Sequence, residues 1–388
     1  MATKFFMNGG VNSNWSADTN WSTTASSGPN NTTHAVAADA AILNAGSPAC
    51  IVDVASAATS LVCTGYTNTL TFNANLTLTS TCTFVSGMTI AGASTLILNG
   101  TATITSGGKT ISGNLQFGGS SQTFTLGDNW SVTGSLVCTG TTLITINNNG
   151  TAKTLTVAGG VTTTTNTTGS AKVVMTGGTW TGAAGYLGCP LDLQGNITVS
   201  GTAIYRTGPL TYVSGTITTT SSTLSIGAAC TLNTSPVSWN TVALTAAAAI
   251  TINSLLTATT LTLPDGSITF LGTAGFTVGT LSNAAVTGSR TNTFVQAATY
   301  TVTTALNLAG TAAQQYFLTS SSGTLLVPFI LAAGATQAVL YVQPTRMDSS
   351  GGQTIVAILS GSVSTSRNWL AKVPVGVALI QPSLALGV

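Results

Sequence analysis

From Thr69 to Phe117 apolar residues alternate with threonine or serine for three to five positions, stop at Gly, Asn or Ser, and resume. TLTFNANLTL, TCTFVSGMTIAG and STLILNGTATITSGGKTISGNLQF follow one another in this way. A two-residue period bounded by turn formers predicts short β-strands, half-buried on one face. The pattern continues through Thr123 to Val132, Leu143 to Ile146, Leu155 to Val157, Leu191 to Val199, Leu210 to Ile226 and Ile268 to Val278. Asparagine repeatedly precedes an apolar residue, at Asn75-Leu76, Asn114-Leu115, Asn129-Trp130 and Asn196-Ile197. The intervals are irregular, as in a solenoid with turns of variable length. The predicted fold is all-β: a parallel β-helix or β-solenoid, with an N-terminal capping segment and a C-terminal β-domain or cap. A series of β-sandwiches is the alternative. The shortness of the strands and the uniform threonine content over more than two hundred residues argue against it.

Three segments are expected. Residues 1–66 hold two copies of Asn-Trp-Ser, at Asn14-Trp15-Ser16 and Asn20-Trp21-Ser22, followed by a polar loop. They form a cap over the first open rung or a docking segment, since an uncovered solenoid end templates association and exposed aromatics mark interfaces. Residues 67–310 form the solenoid body. Residues 311–388 carry longer, more apolar runs and several prolines. Their last sixteen, Val373 to Val388, contain no charge. Such a tail packs on the body or on another subunit. The candidate docking residues are Trp15, Trp21, Trp369, Leu379, Ile380 and Leu384.

Charge changes the picture most. Only 4% of the 388 residues are charged, none is Glu, and the net charge is +2. The nine basic residues are scattered singly, so binding of nucleic acid through its phosphates has no support. With a 43% hydrophobic content a core can form. The uncharged stretches Ser235 to Leu263 and Thr324 to Val342 are broken by Asn, Thr, Pro and Gly, and read as strands rather than membrane spans. The N-terminus lacks the apolar core of a secretory signal, which implies synthesis in a cytoplasm without export by that route.

Candidate chemistry is sparse. His34 is the single histidine and no CxxC occurs among the six cysteines, so neither a zinc site nor a cofactor is expected. Cys63, Cys82 and Cys138 occupy positions where neighbouring repeats place apolar residues. They read as small buried hydrophobes in a reducing compartment rather than as disulfides. A carboxylate pair for polysaccharide cleavage would require Asp128, Asp192 and Asp265 to converge, whereas Asp128-Asn129 and Asp265-Gly266 also read as turns. Gly107-Gly108-Lys109-Thr110 fails the spacing of a phosphate loop. No catalytic residue is assigned. Trp130, Trp180, Tyr186, Tyr205, Tyr212 and Trp239 either line a sugar-binding face or stack inward.

The Asn-Trp-Ser segment, the Leu-Thr-Leu/Asn-Gly rungs and the ending Arg346-Met347-Asp348-Ser349-Ser350-Gly351-Gly352-Gln353-Thr354-Ile355, followed by Asn368-Trp369, resemble the β-solenoid virion structural proteins of tailed bacteriophages. The resemblance implies a non-enzymatic virion component: a capsid decoration or cement protein, a head fibre, or part of a tail fibre or spike. It further implies a homo-oligomer, commonly a trimer, that contacts capsid or tail proteins. The protein would be made in the host cytoplasm and located in the virion. A tailspike-like protein that binds or cleaves host surface polysaccharide is the first alternative. A bacterial surface adhesin, which shares the rung composition, is the second.

Overall fold

Alternation of burial along each short strand is the rule that builds the molecule. In Leu96–Leu98 and Leu115–Phe117 the outer two residues point inward and the middle one outward. The structure is a computed structural model that describes residues 2–7, 12–28, 32–182, 185–360, 363 and 365–372. The chain is all-β, its parallel sheets stacked as a β-solenoid of about 16 turns in total. Among the described residues the only helix is a single 3₁₀ turn, Asp18–Asn20. Parallel pairing excludes the β-sandwich alternative, whose sheets are antiparallel. The chain divides into two compact units, Met1–Thr241 and Val242–Val388.

In the first unit one inward column runs through seven rungs in register: Leu76, Leu96, Leu115, Leu136, Val161, Trp180 and Val199. All seven are essentially inaccessible to solvent. Each side chain stacks on its counterpart about 4.8 Å above and below, the spacing of paired strands, so burial is continuous although each strand is short. Outward positions carry Thr, Ser and Asn, as in Thr103, Thr125 and Asn147, which are likewise in register.

The recurrent asparagines have a common role. Asn75, Asn114, Asn129 and Asn196 each accept, through the side-chain oxygen, the backbone N–H of a residue one rung further on: Thr95, Ser135, Thr154 and Thr216, at 2.8 to 3.3 Å. The strand residues that follow pair as Leu76↔Leu96, Leu115↔Leu136, Trp130↔Leu155 and Ile197↔Ile217. The amide thus extends the ladder by one hydrogen bond into the corner. The sequence separations, from 20 to 25 residues, give the variable turn length. Replacing Asn114 by Ala is expected to cost about 1 kcal/mol, the net worth of such a bond, read as a lower urea midpoint with an unchanged slope.

At the N-terminus Thr3–Phe6 pairs in parallel with Ala40–Asn44 and antiparallel with Trp21–Ser22. Trp15 donates its backbone N–H to Ile51 O at 2.7 Å, which lays this segment along Cys50–Val52. Parallel rungs therefore begin within residues 1–66. In the second unit the parallel order likewise continues past residue 310, from Tyr316–Ser320 to Val342–Thr345 and from Thr336–Leu340 through Ile355–Ile358 to Trp369–Lys372. The more apolar composition there marks no change of topology. Its core is aromatic: Phe270, Phe276, Phe294, Tyr300 and Phe329 form a chain of ring contacts with centroids 4.9 to 5.9 Å apart.

The stretches weighed as membrane spans contain the strands Ser238–Leu244, Ala248–Ile252, Leu256–Leu263, Val327–Leu331 and Thr336–Leu340. No helix among the described residues is long and apolar enough to cross a membrane. All six cysteines are free and buried, several in register with aliphatic residues, such as Leu43↔Cys63 and Leu61↔Cys82. Burial pushes the thiols of Cys63, Cys189 and Cys230 up to about 12. Because the thiolate is the reactive form, a disulfide-exchange reagent at pH 8 is expected to leave all six unmodified in the folded protein and to titrate six after denaturation.

Candidate interaction surfaces

Each of the seven aspartate side chains is engaged locally. Asp128 accepts the N–H groups of Ser106 (2.7 Å) and Gly107 (2.8 Å), and so holds the Gly107-Gly108-Lys109 turn. Asp192 pairs with Lys172 at 2.9 Å. Asp265 accepts the Thr287 N–H at 3.0 Å and hydroxyl at 2.7 Å, and the Arg290 Nε–H at 3.0 Å. The hydrogen bonds from Thr287 chiefly hold its carboxyl below the usual range. Asp18 is lowered first by the His34 N–H that it accepts at 2.8 Å. Burial works to raise Asp53, but the Ser16 hydroxyl and N–H donated to it outweigh that. Asp39 meets Lys4 at 3.1 Å, and Asp348 accepts the Ser350 N–H at 2.9 Å. Asp128, Asp192 and Asp265 are thus each tied to neighbouring residues of their own unit, as turn and rung clamps. No cluster of three or more metal-ligating side chains occurs among the described residues.

Four of the six aromatic residues weighed for a sugar-binding face point inward. Trp130, Trp180, Trp239 and Tyr205 are buried, which removes them from any sugar-binding face. Tyr186 and Tyr212 remain half-buried, Tyr186 beneath the Arg206 guanidinium at 4.4 Å. The docking assignment of Trp15 and Trp21 is corrected for the same reason. Both rings are fully buried, edge-to-face at 4.8 Å. Their indole N–H groups are donated internally, Trp15 to Ala35 O at 3.1 Å and Trp21 to Trp15 O at 2.8 Å. They close the end of the first unit's core and offer a partner no ring surface. Trp369 is also turned inward, 5.9 Å from Phe329. Leu379, Ile380 and Leu384 lie outside the described residues.

Two surfaces were not singled out by the sequence. On the second unit the outward positions of three neighbouring strands, Thr336–Leu340, Ile355–Ile358 and Trp369–Lys372, carry Leu340, Val356, Ile358 and Leu370 in place of the usual Thr and Ser. Leu370 is 53% exposed. On the first unit two shallow open troughs adjoin at Thr216. One, about 340 Å³, is lined by Asn196, Ile197, Thr198, Thr216 and Thr218. The other, about 220 Å³, is lined by Tyr212, Gly215 to Ile217 and Pro236 to Ser238. No family model, curated protein or solved structure matches the chain.

Proposed function

We propose that this chain is a non-enzymatic structural component of a tailed-bacteriophage virion, a capsid decoration or cement protein or a head or tail fibre. The observation that carries the reading is the engagement of all seven carboxylates in holding turns and rungs. Acid–base chemistry needs groups free to exchange protons with a substrate, and a chain without Glu has no further carboxylates for the task. The remaining chemistry favours rigidity: stacked rungs, a neutral hydroxyl and amide surface, and an aromatic core in the second unit. The resemblance of the Asn-Trp-Ser segment and of the Arg346-to-Trp369 ending to phage β-solenoids supplies the virion setting. In that setting the chain acts as a homo-oligomer, a trimer, bound to capsid or tail proteins and assembled in the host cytoplasm. Heating particles assembled with and without the chain tests this. Particles lacking it should release their nucleic acid at a lower temperature or lose a visible projection; particles unchanged in both respects contradict it.

A further inference from the structure

We infer that the paired troughs at Thr216 form a binding groove for a neutral oligosaccharide, which the protein holds without cleaving. The inference stands independently of the virion reading.

The groove is built by a local irregularity. The pairing of Lys172–Gly182 with Leu191–Val199 shifts between Met175 and Gly177, and the next pairing shifts between Leu193 and Gln194. Gly195 and Gly215 stack at this bulge with φ of 107° and 88°. A Cβ on Gly215 would stand 2.1 Å from Gly195 O, and one on Gly195 2.2 Å from Thr176 O, so each rung approaches the one before it only with glycine at this position. The troughs lie beside this bulge, with Asn196 lining the first and Gly215 the second.

The lining is chemically uniform. Thr179, Thr198 and Thr218 form an outward column on three successive rungs, all exposed. Among the described residues none is hydrogen-bonded to their side-chain hydroxyls or to that of Thr216. Each is free both to donate and to accept. Asn196 uses its side-chain oxygen to accept the Thr216 N–H at 3.3 Å, which leaves its NH₂ group for a ligand. Tyr212 forms the wall of the second trough, its hydroxyl tied to Gly215 O at 3.0 Å. Pro236 and Val237 supply apolar surface beside it.

This set discriminates between ligand classes. No charged side chain lines either trough, so a phosphate or an acidic sugar would leave its charge unpaired. A nucleic acid would find no cation. An apolar ligand requires an enclosed apolar pocket, whereas these troughs are open and edged by hydroxyls. A neutral pyranose presents hydroxyls to threonine and asparagine and a C–H face to a tyrosine. Threonines on adjacent rungs stand about 4.8 Å apart, within the span of one sugar ring, and the continuation past Thr216 leads a chain of rings along the surface. With every carboxylate engaged elsewhere, binding without cleavage follows.

The test uses the full chain and an array of neutral hexasaccharides of glucose, galactose, mannose, rhamnose and N-acetylglucosamine, beside their uronic-acid and phosphorylated counterparts. At least one neutral member should be retained and recovered at its original length. The double variant Thr198→Val/Thr218→Val, β-branched and near-isosteric, should weaken that binding about tenfold or more, as expected for the loss of two hydrogen bonds. Thr269→Val/Thr293→Val, on an outward column of the second unit, should leave it unchanged. Retention of acidic members alone, retention of none, shortening of the bound sugar, or binding that survives the double variant overturns the proposal.

Discussion

Trp15→Ala is expected to destabilise the first unit by about 3–5 kcal/mol, the range for removing a large buried aromatic side chain. The ring is completely buried, packed edge-to-face on Trp21, which in turn packs on Phe6 at 5.2 Å. Its loss opens a cavity and leaves Ala35 O without the indole donor. In a solenoid each rung depends mainly on its neighbours, so the damage starts at the segment that Trp15 anchors along Cys50–Val52. Chemical denaturation, with Trp21→Phe, which keeps an aromatic ring at position 21, as a milder companion, checks this. An unchanged midpoint for Trp15→Ala, coupled with lost association to other proteins, would restore the ring to a docking role.

Asp39→Asn is expected to cost a similar 3–5 kcal/mol, because it leaves a buried ammonium without its counter-charge. Lys4 and Asp39 are 5% and 7% exposed. Lys4 Nζ also donates to Thr33 O at 2.8 Å and Thr33 Oγ1 at 2.7 Å, which fixes it in place. Replacing both partners, Lys4→Met with Asp39→Leu, should recover most of the loss, since an apolar pair of similar volume needs no charge balance. The same site sets a pH response. Burial acts to raise the Asp39 carboxyl, but the bond from Lys4 and the N–H groups of Val36 and Ala2 bring it below its ordinary value. Asp18, Asp53 and Asp265 are lowered as well. A carboxyl lowered on folding binds fewer protons in the fold than in the unfolded chain at intermediate pH. Its contribution is present in full above the unfolded value of about 3.9 and disappears as pH falls through the folded value. The melting temperature should therefore stay level from pH 8 to about 5 and decline below about 4. In Asp39→Asn that acid decline should be shallower.

The β-solenoid was legible in the sequence because alternation and turn residues are local signals. Whether Trp130, Trp180, Tyr205 and Trp239 line a face or stack inward is decided by strand parity: Trp130 and Trp180 fall in step with the inward Leu155 and Val161. The asparagine motif was visible at Asn75, Asn114, Asn129 and Asn196, but not its role, which depends on a partner 20 to 25 residues away. Parity hid the apolar face as well. Val327–Leu331 and Thr336–Leu340 both end on leucine, yet Leu331 points inward and Leu340 outward. The groove was hidden most deeply. It arises from two glycines brought into contact by a register shift, and its threonines are chemically indistinguishable from those on every other rung.

Electron microscopy of the assembled particle that carries this chain, at a resolution that traces its backbone, tests the virion reading most directly. The account predicts density for stacked parallel rungs, in symmetric copies, seated on capsid or tail proteins. Purified particles that lack the chain although the infected cell makes it, or density that matches no solenoid, would contradict it.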